Sequence, residues 1–155
     1  MLGRTMRPIV VAVLLCLPVF AQNGNQSNRS EMIDFAKKSA VSAVNFKQGD
    51  LAGFNSARAA FTTEGWNGFL HRHQGFLDQN GAPTFTSTFT ATADARILGD
   101  ANGRLHLKIP GTLTQSNGIT KTTYRAVALD VLVGGTPARI EKLDEVMCVG
   151  SSPGC

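Results

Sequence analysis

The sequence predicts an α+β domain in which three N-terminal helices pack on a curved four-stranded antiparallel sheet. Apolar residues recur at helical spacing as far as Leu77, and after Pro83 they alternate with polar residues in a period of two. Short turn sequences rich in Gly and Asn separate the alternating segments. Because the helical segments all precede the strands, we expect the helices to cover one face of an antiparallel meander.

The composition is that of an ordinary folded domain. The chain has 155 residues, of which 43% are hydrophobic and 17% charged, and its formal net charge is +4. These values exclude a chain that is mainly disordered. The basic residues are spread singly among acids, whereas a nucleic-acid binder clusters them on one face, so nucleic acid is not an expected partner.

The first 21 residues have the pattern of an export signal. Arg4 and Arg7 precede an apolar run from Ile9 to Phe20, and Ala21 ends a small-residue cleavage site. The run is shorter than the roughly 20 residues that a membrane-spanning helix needs. We therefore predict a signal peptide, residues 1–21, and a mature chain in the periplasm or outside the cell. An uncleaved segment that stays in the membrane is the alternative.

The helical half of the chain is predicted to begin after a polar leader. Residues 22–29 contain no apolar side chain, so we expect a flexible segment that cannot pack. Ser30 is the predicted N-cap of the first helix. Asp50 is the predicted cap of the second helix, and Thr62 or Thr63 that of the third.

The first two predicted strands follow Pro83. Alternation from Phe85 to Ile97 indicates one long half-buried strand. Alternation from Leu105 to Leu113 indicates the second strand. Pro110-Gly111 interrupts this second run and predicts a bulge or bend, because proline has no N–H to donate to a sheet.

The third and fourth strands complete the predicted sheet. The third, over residues 120–133, is apolar on both faces from Ala126 onward, which places it centrally. The fourth spans residues 138–148. Its alternation slips once between Ile140 and Leu143, and this slip predicts a bulge.

Two cysteines remain after the signal is removed, Cys148 and Cys155. In an exported protein, an even pair separated by a short loop of Gly, Ser and Pro is a candidate disulfide. So short a loop contributes only about 2–3 kcal/mol by the loop-entropy formula. Its expected role is to pin a tail, residues 149–155, to the end of a single domain that spans residues 30–148.

Two sequence runs carry a family resemblance. One is the run of aromatic, Thr and Gly residues from Phe61 to Leu70 that leads into the strands, and the other extends from Asn102 to Pro110. In these runs and in the order of its elements, the chain resembles, over residues 30–147, the periplasmic domains of the IcmL/DotI family. Members of that family are inner-membrane-associated components of the Dot/Icm-type (type IVB) secretion apparatus.

The resemblance implies a cone-shaped fold, shared with nuclear transport factor 2-like and cystatin-like domains, and a role in assembly rather than catalysis. IcmL/DotI members hold the membrane by a full spanning helix. This chain has only the short apolar run from Ile9, so it looks more like a soluble or exported relative.

Trp66, Phe69 and Leu70 are the candidate binding residues. They lie on one stripe of the third predicted helix. Two interpretations stay open at this point. The three side chains either form a wedge that fills the mouth of the curved sheet, or contact a ligand or partner.

The alternative function is a small-ligand or isomerase/dehydratase-type pocket in the same fold. Asp130 lies in an apolar strand, where burial would suit its carboxyl to proton abstraction. Tyr124 precedes it by six residues, so we expect both on one strand face, where the tyrosine hydroxyl could donate to an oxyanion. His73, on the stripe of Trp66 and Leu70, is the third candidate.

No cofactor or metal is expected. His71 and His73 point about 200° apart on a helix and cannot share one ion, and His106 is the remaining histidine. Motifs for hydrolase, phosphate-binding and dithiol redox chemistry are absent from the sequence. The leading prediction is an exported, non-catalytic interaction domain. Its expected partners are other envelope or secretion-apparatus proteins, with self-association left open.

Overall fold

The structure is a computed structural model that describes residues 21–148, with side chains from residue 27 onward. Three helices come first, and the second and third each continue as a 3-10 turn: α1 (Ala21–Val44), α2 (Leu51–Ser56, then Ala57–Ala60) and α3 (Thr63–His73, then Gln74–Phe76). One antiparallel sheet follows, built from β1 (Thr86–Ala91), β2 (Arg96–Ala101), β3 (Arg104–Ser116), β4 (Lys121–Gly134) and β5 (Arg139–Met147). The predicted α+β class, with three helices before an antiparallel sheet, is confirmed.

Helix α1 begins at Ala21 rather than at Ser30. Residues 22–29, predicted to be a flexible leader, are therefore helical. The physical reason is that a helix, once nucleated by its packed part, gains one backbone hydrogen bond for each residue added. One tertiary contact supports this extension, because Arg29 pairs with Asp100 of β2 at 3.0 Å.

Helices α2 and α3 begin at the predicted polar caps. The Asp50 carboxylate accepts a hydrogen bond from the N–H of Gly53 at 2.8 Å. The Thr62 hydroxyl accepts one from the N–H of Gly65 at 3.0 Å. Each bond satisfies one of the N–H groups that the first turn of a helix leaves without a partner.

The sheet has the order β1-β3-β4-β5, and β2 lies beside the same edge of β3 as β1. Strand β1 pairs with residues 111–116 of β3, and β2 pairs with residues 104–108. The prediction of one long strand from Phe85 to Ile97 is therefore wrong. This segment forms two short strands, separated by residues 92–95.

Pro110 in β3 explains the break between β1 and β2. Its carbonyl accepts a hydrogen bond from the N–H of Thr92 at 3.0 Å, so its backbone nitrogen faces the same neighbour. Because proline has no N–H, no ladder bond can form there. Pairing to this edge therefore stops at Gly111 and resumes at Lys108.

Strand β5 contains the bulge predicted between Ile140 and Leu143. Val133 pairs with Ile140 and Leu132 with Lys142, so the residue between them on β5 is the extra one. The bulge brings both apolar side chains to the same face of the sheet. Ile140 and Leu143 are accordingly buried in the core.

The core lies between the helices and one face of the sheet. The alanines of α1 let this helix approach the strands closely, and four aromatic residues from α2, α3 and the segment between them fill the remaining space. The helical side contributes Ala36, Ala40, Ala43, Val44, Phe54, Phe61, Trp66 and Phe69, and the sheet contributes Leu105, Leu107, Ile109, Leu113, Val127, Leu129, Val131, Val133, Ile140 and Leu143.

A glycine allows α3 to lie directly against β5. A Cβ atom on Gly65 would be 2.5 Å from the carbonyl oxygen of Ile140 and 2.9 Å from that of Glu141. At the start of the helix, the N–H of Thr62 donates to the Ile140 carbonyl at 2.9 Å. The beginning of α3 thus covers part of the outer edge of β5, which a sheet would otherwise leave unpaired.

Several predictions concern residues 1–20 and 149–155, which lie outside the described part of the chain. The signal peptide, its cleavage near Ala21 and the tail stay predictions. The disulfide between Cys148 and Cys155 also stays a prediction, because Cys155 is outside that part. Within residues 21–148, none of the helices combines the length and the hydropathy needed to cross a bilayer.

Candidate functional site

One face of the sheet packs on the helices, and no described helix covers the other. On β3, Leu105 and Leu107 face the helices and are buried, whereas the alternating residues His106 and Lys108 point the other way and are half-buried. We call this second surface the open face. It is formed by His106, Lys108, Asp130, Leu132, Lys142, Asp144 and Val146, which share one side of the sheet by strand register.

Asp130 lies on the open face, opposite Lys108 of β3 and Asp144 of β5. Its Oδ1 atom is 2.7 Å from Nε2 of His106. An ionised carboxylate only accepts hydrogen bonds, so Nε2 is the donor. The side chains of Asp130 and His106 are 21% and 41% exposed. The predicted acid is therefore paired with a histidine at the surface rather than enclosed in the cone.

Tyr124 does not share the face of Asp130. Leu113 pairs with Tyr124 and Gly111 pairs with Val127, so β4 has one extra residue in this interval. A one-residue bulge shifts the alternation by one position. Tyr124 consequently packs against the core, and Asp130 is on the open face. The prediction that six-residue spacing puts both on one face is wrong.

His73 lies on the core side, at the end of α3, and is 8% exposed. Its ring lies against that of Phe69, with 4.2 Å between the centroids. The sheet therefore separates Asp130 from both His73 and Tyr124. These three residues do not converge on one pocket as the alternative function requires.

Trp66 and Phe69 are core residues, 3% and 0% exposed, and Leu70 is partly buried beside them. The two rings stack with 5.5 Å between their centroids, and Phe54 and Phe61 pack against both. This arrangement is the one expected if these side chains form a wedge that fills the space between the helix and the sheet. A ligand would reach Trp66 or Phe69 only if α3 moved away from the core, because other side chains already occupy the surfaces of both rings.

An ion-pair network joins the open face to α3. The two carboxylate oxygens of Asp144 lie 2.8 Å from Nε of Arg72 and 2.6 Å from Nζ of Lys142. Arg72 also donates a hydrogen bond to the carbonyl of Leu143. The hydrogen bond to Asp144, and then the charge of its carboxylate, raise the pKa of Lys142 above its ordinary value. Arginine and lysine on different elements thus share one acid.

Sequence reasoning missed this network. Each of these charged residues taken alone is typical of a solvated surface. The usable signal was the alternation of β5, which places Lys142 and Asp144 on the same face as Asp130 once the bulge after Ile140 is counted. The contribution of Arg72 has no local signal, because it comes from a helix distant in sequence.

Two open grooves meet on this face. The larger, of about 530 Å³, lies between α3 and β5 beside Arg72 and Arg104. The smaller, of about 350 Å³, lies beside His106 and Asp130. Leu132 and Lys142 line both grooves. Open grooves lined mainly by charged and polar side chains suit a protein-binding surface better than they suit the enclosure of a small substrate.

The described residues contain no cluster that could hold a metal ion. Among residues 21–148, no three His, Cys, Asp or Glu side chains converge. His71 is exposed and His73 is buried, so the helix directs the two apart. His106 is on the far side of the sheet from His73 and is paired with Asp130.

Comparison with solved structures provides a precedent for the fold. The chain is similar to the periplasmic domain of DotI, with a TM-score of 0.63 and 18% identity over 77% of this chain and 95% of that domain. It is also similar to an IcmL-like type IV secretion system protein from Legionella pneumophila subsp. pneumophila str. Philadelphia 1. That match has a TM-score of 0.60 and 12% identity over 80% of this chain and 96% of the other.

At these identities the likeness establishes a shared fold. The predicted IcmL/DotI-like fold is therefore confirmed. A scan against models of protein families finds no match, and a search of curated proteins finds none.

Proposed function

We propose that this chain is an exported, non-catalytic domain that binds other proteins of the cell envelope, as a component or relative of the type IVB secretion apparatus. The observation that carries the proposal is the shared fold. One of the two similar structures is described as an IcmL-like type IV secretion system protein, and the other as the periplasmic domain of DotI. Fold by itself does not determine function, so the proposal also needs a surface through which the domain could act.

The open face supplies that surface. The apolar face of the sheet is buried in the core. The opposite face presents paired charges around the apolar side chains of Leu132 and Val146. Ion pairs arranged in this way give an interface specificity and a faster association rate more than raw affinity. Arg72 and Arg104 add a residue type that protein interfaces favour.

The proposed compartment is the periplasm or the exterior of the cell. A signal peptide cleaved near Ala21 would deliver the chain there, and a disulfide between Cys148 and Cys155 would persist only in an oxidising compartment. The domain would then meet its partners as a soluble protein. An uncleaved N-terminal segment would instead hold it at the membrane.

The pocket alternative has less support. Its three residues, Asp130, Tyr124 and His73, lie on both sides of the sheet. Trp66 and Phe69 fill the space between α3 and the sheet where a substrate would have to bind. If Asp130→Asn abolished binding or turnover of a small ligand, the pocket alternative would replace the proposal.

Site-specific photocrosslinking in the native host tests the proposal. A photoreactive residue at Lys108 probes the open face, and one at Lys38 on the exposed side of α1 is the control. Neither lysine forms a hydrogen bond or an ion pair with the residues that the structure describes. We expect a discrete adduct with another envelope protein from position 108 only. The same adducts from both positions, or none from either, would contradict the proposal.

A further inference from the structure

Beside the larger groove, each paired acid is less exposed than the base that pairs with it. The side chain of Asp144 is 21% exposed, whereas Arg72 and Lys142, which share it, are 38% and 56% exposed. The side chain of Glu141 is 22% exposed, and that of its partner Arg104 is 60% exposed. A molecule that approaches this groove therefore meets guanidinium and ammonium groups before it reaches these carboxylates.

The two arginines keep hydrogen-bond donors that no described residue uses. Arg104 forms its ion pair through Nε, so the N–H groups on both of its Nη atoms have no acceptor among the described residues. Arg72 uses Nε and Nη2, and its Nη1 atom lies beside Gly68, 3.6 Å from the position that a Cβ atom would take there. Carboxylates make charge-assisted, often bidentate hydrogen bonds to guanidinium groups. These donors thus favour a partner that supplies carboxylates.

The groove has room for a segment of chain. Its volume is about 530 Å³, and between Glu64 and Arg72 helix α3 lines it only with Gly65 and Gly68. An added Cβ at Gly68 would contact only the flexible end of Arg72, so the space beside this turn of the helix is open. Leu132 contributes an apolar side chain from the sheet. A space of this size takes several side chains of an extended segment rather than a single ion.

The charges around the groove cancel, which argues against a polyanion as the ligand. Three cations and three carboxylates line the groove or pair with its lining, namely Arg72, Arg104 and Lys142, and Glu64, Glu141 and Asp144. Nucleic acids and anionic membranes are attracted by the long-range field of uncompensated bases. A groove without net charge attracts its ligand through short-range hydrogen bonds and contacts, as protein interfaces do.

We infer that the larger groove binds an extended acidic segment of a partner protein, whose Asp or Glu side chains accept hydrogen bonds from Arg72 and Arg104. This inference rests on the proposed function, since it states the kind of partner that the same surface binds. Glu64 is exposed and lies about 12 Å from Arg72 along α3. Its charge repels acids at that end of the groove, so the acidic side chains of the segment should lie toward Arg72.

The first test uses the free protein and synthetic peptides. The probe has alternating Asp and Leu and blocked ends, and its length of about ten residues crosses the groove in extended form, at about 3.3 Å per residue. Control peptides carry Asn or Lys in place of Asp and should bind at least about tenfold more weakly. By NMR of the arginine Nε–H groups, the Asp peptide should shift the signals of Arg72 and Arg104 together. Arg58, which does not line the groove, should not respond.

Two variants of exposed groove residues should change the affinity for the Asp peptide in opposite directions. Arg104→Gln removes donors and should weaken binding by about threefold to tenfold. Glu64→Gln removes the repelling carboxylate and should strengthen binding by about twofold. Lys38→Gln, on the exposed side of α1, is the matched control and should leave the affinity unchanged. The side chain of Glu64 makes no hydrogen bond or ion pair with the described residues, so Glu64→Gln keeps the fold and decides the test if Arg104→Gln does not fold.

Equal binding of the Asp and Asn peptides would overturn the inference, as would weaker binding by Glu64→Gln. Displacement of the Asp peptide by vesicles of phosphatidylglycerol would assign the groove to a membrane surface and would also overturn it. Photocrosslinking in the host separates the inference from the proposed function. A partner that crosslinks from position 108 with equal yield in the wild type and in Arg104→Gln would contradict the inference and leave the proposed function standing. If the Asp peptide binds as expected and no adduct forms from position 108, the proposed function falls and the preference of the groove for acidic segments stands.

Discussion

A single methyl group on α3 is expected to reveal how closely this helix lies on β5. In Gly65→Ala, the new Cβ would be 2.5 Å from the carbonyl oxygen of Ile140 and 2.9 Å from that of Glu141. Both are backbone atoms held in the sheet, so neither can rotate away as a side chain would. The helix itself must shift outward, which strains the packing of Trp66 and Phe69 beneath it.

The size of the effect follows from two opposing contributions. Overpacking of a tight contact lowers the free energy of unfolding by about 1–3 kcal/mol. Replacing glycine by alanine within a helix raises it by up to about 1 kcal/mol. Gly65→Ala should therefore lower the free energy of unfolding by about 1–2 kcal/mol. Gly68→Ala is the matched control, because its Cβ would meet only the flexible end of Arg72, at 3.6 Å. The free energy of unfolding of this second variant should exceed that of the wild type by about 0.5–1 kcal/mol.

Thermal and urea unfolding followed by circular dichroism measure both variants. Their free energies of unfolding should differ by about 1.5–3 kcal/mol, which for a domain of this size separates the melting temperatures by roughly 5–15 °C. The same substitution on the same helix should thus act in opposite directions. If Gly65→Ala proved as stable as Gly68→Ala, α3 could not rest on the β5 carbonyls as described.

Three further predictions concern the core, one sheet edge and the tail. Phe69→Ala should lower the free energy of unfolding by about 3–5 kcal/mol in urea denaturation, since the ring is fully buried; a loss below about 1 kcal/mol would refute its place in the core. Asn45→Ala should speed hydrogen exchange at the Phe89 amide, which donates to the Asn45 side chain, and unchanged exchange would count against that bond. Thiol titration of the denatured, unreduced mature chain should detect no free thiol. Cys155→Ser should lower the free energy of unfolding by about 2–3 kcal/mol. A reactive thiol on Cys148 in the unreduced chain would exclude the disulfide.

The bulge in β4 shows why the candidate site could be only partly predicted. Tyr124 and Asp130 are six residues apart, and an unbroken strand would put them on one face. The extra residue between them becomes visible only when Gly111 and Leu113 of β3 are paired with their partners on β4. Register against a neighbouring strand is a non-local property. No alternation within β4 alone could have shown that Tyr124 and Asp130 lie on opposite faces.

The partners of the open-face charges are also decided by tertiary structure. His106 of β3 is paired with Asp130 of the neighbouring strand β4. Arg72 reaches Asp144 from a helix in the other half of the chain. Each residue on its own has the sequence context of a surface charge. The Arg72–Asp144 pair forms because α3 lies along β5, and this close approach depends on the absence of a side chain at Gly65.

The sequence by itself determined the class of the fold, the capped starts of α2 and α3 and the bulge in β5, because caps and alternation act between residues a few positions apart. Only the tertiary structure decided that α1 reaches back to Ala21, that β1 and β2 are separate strands, and which side chains face away from the helices. These outcomes depend on contacts between segments distant in the chain, and such contacts have no local pattern to predict them.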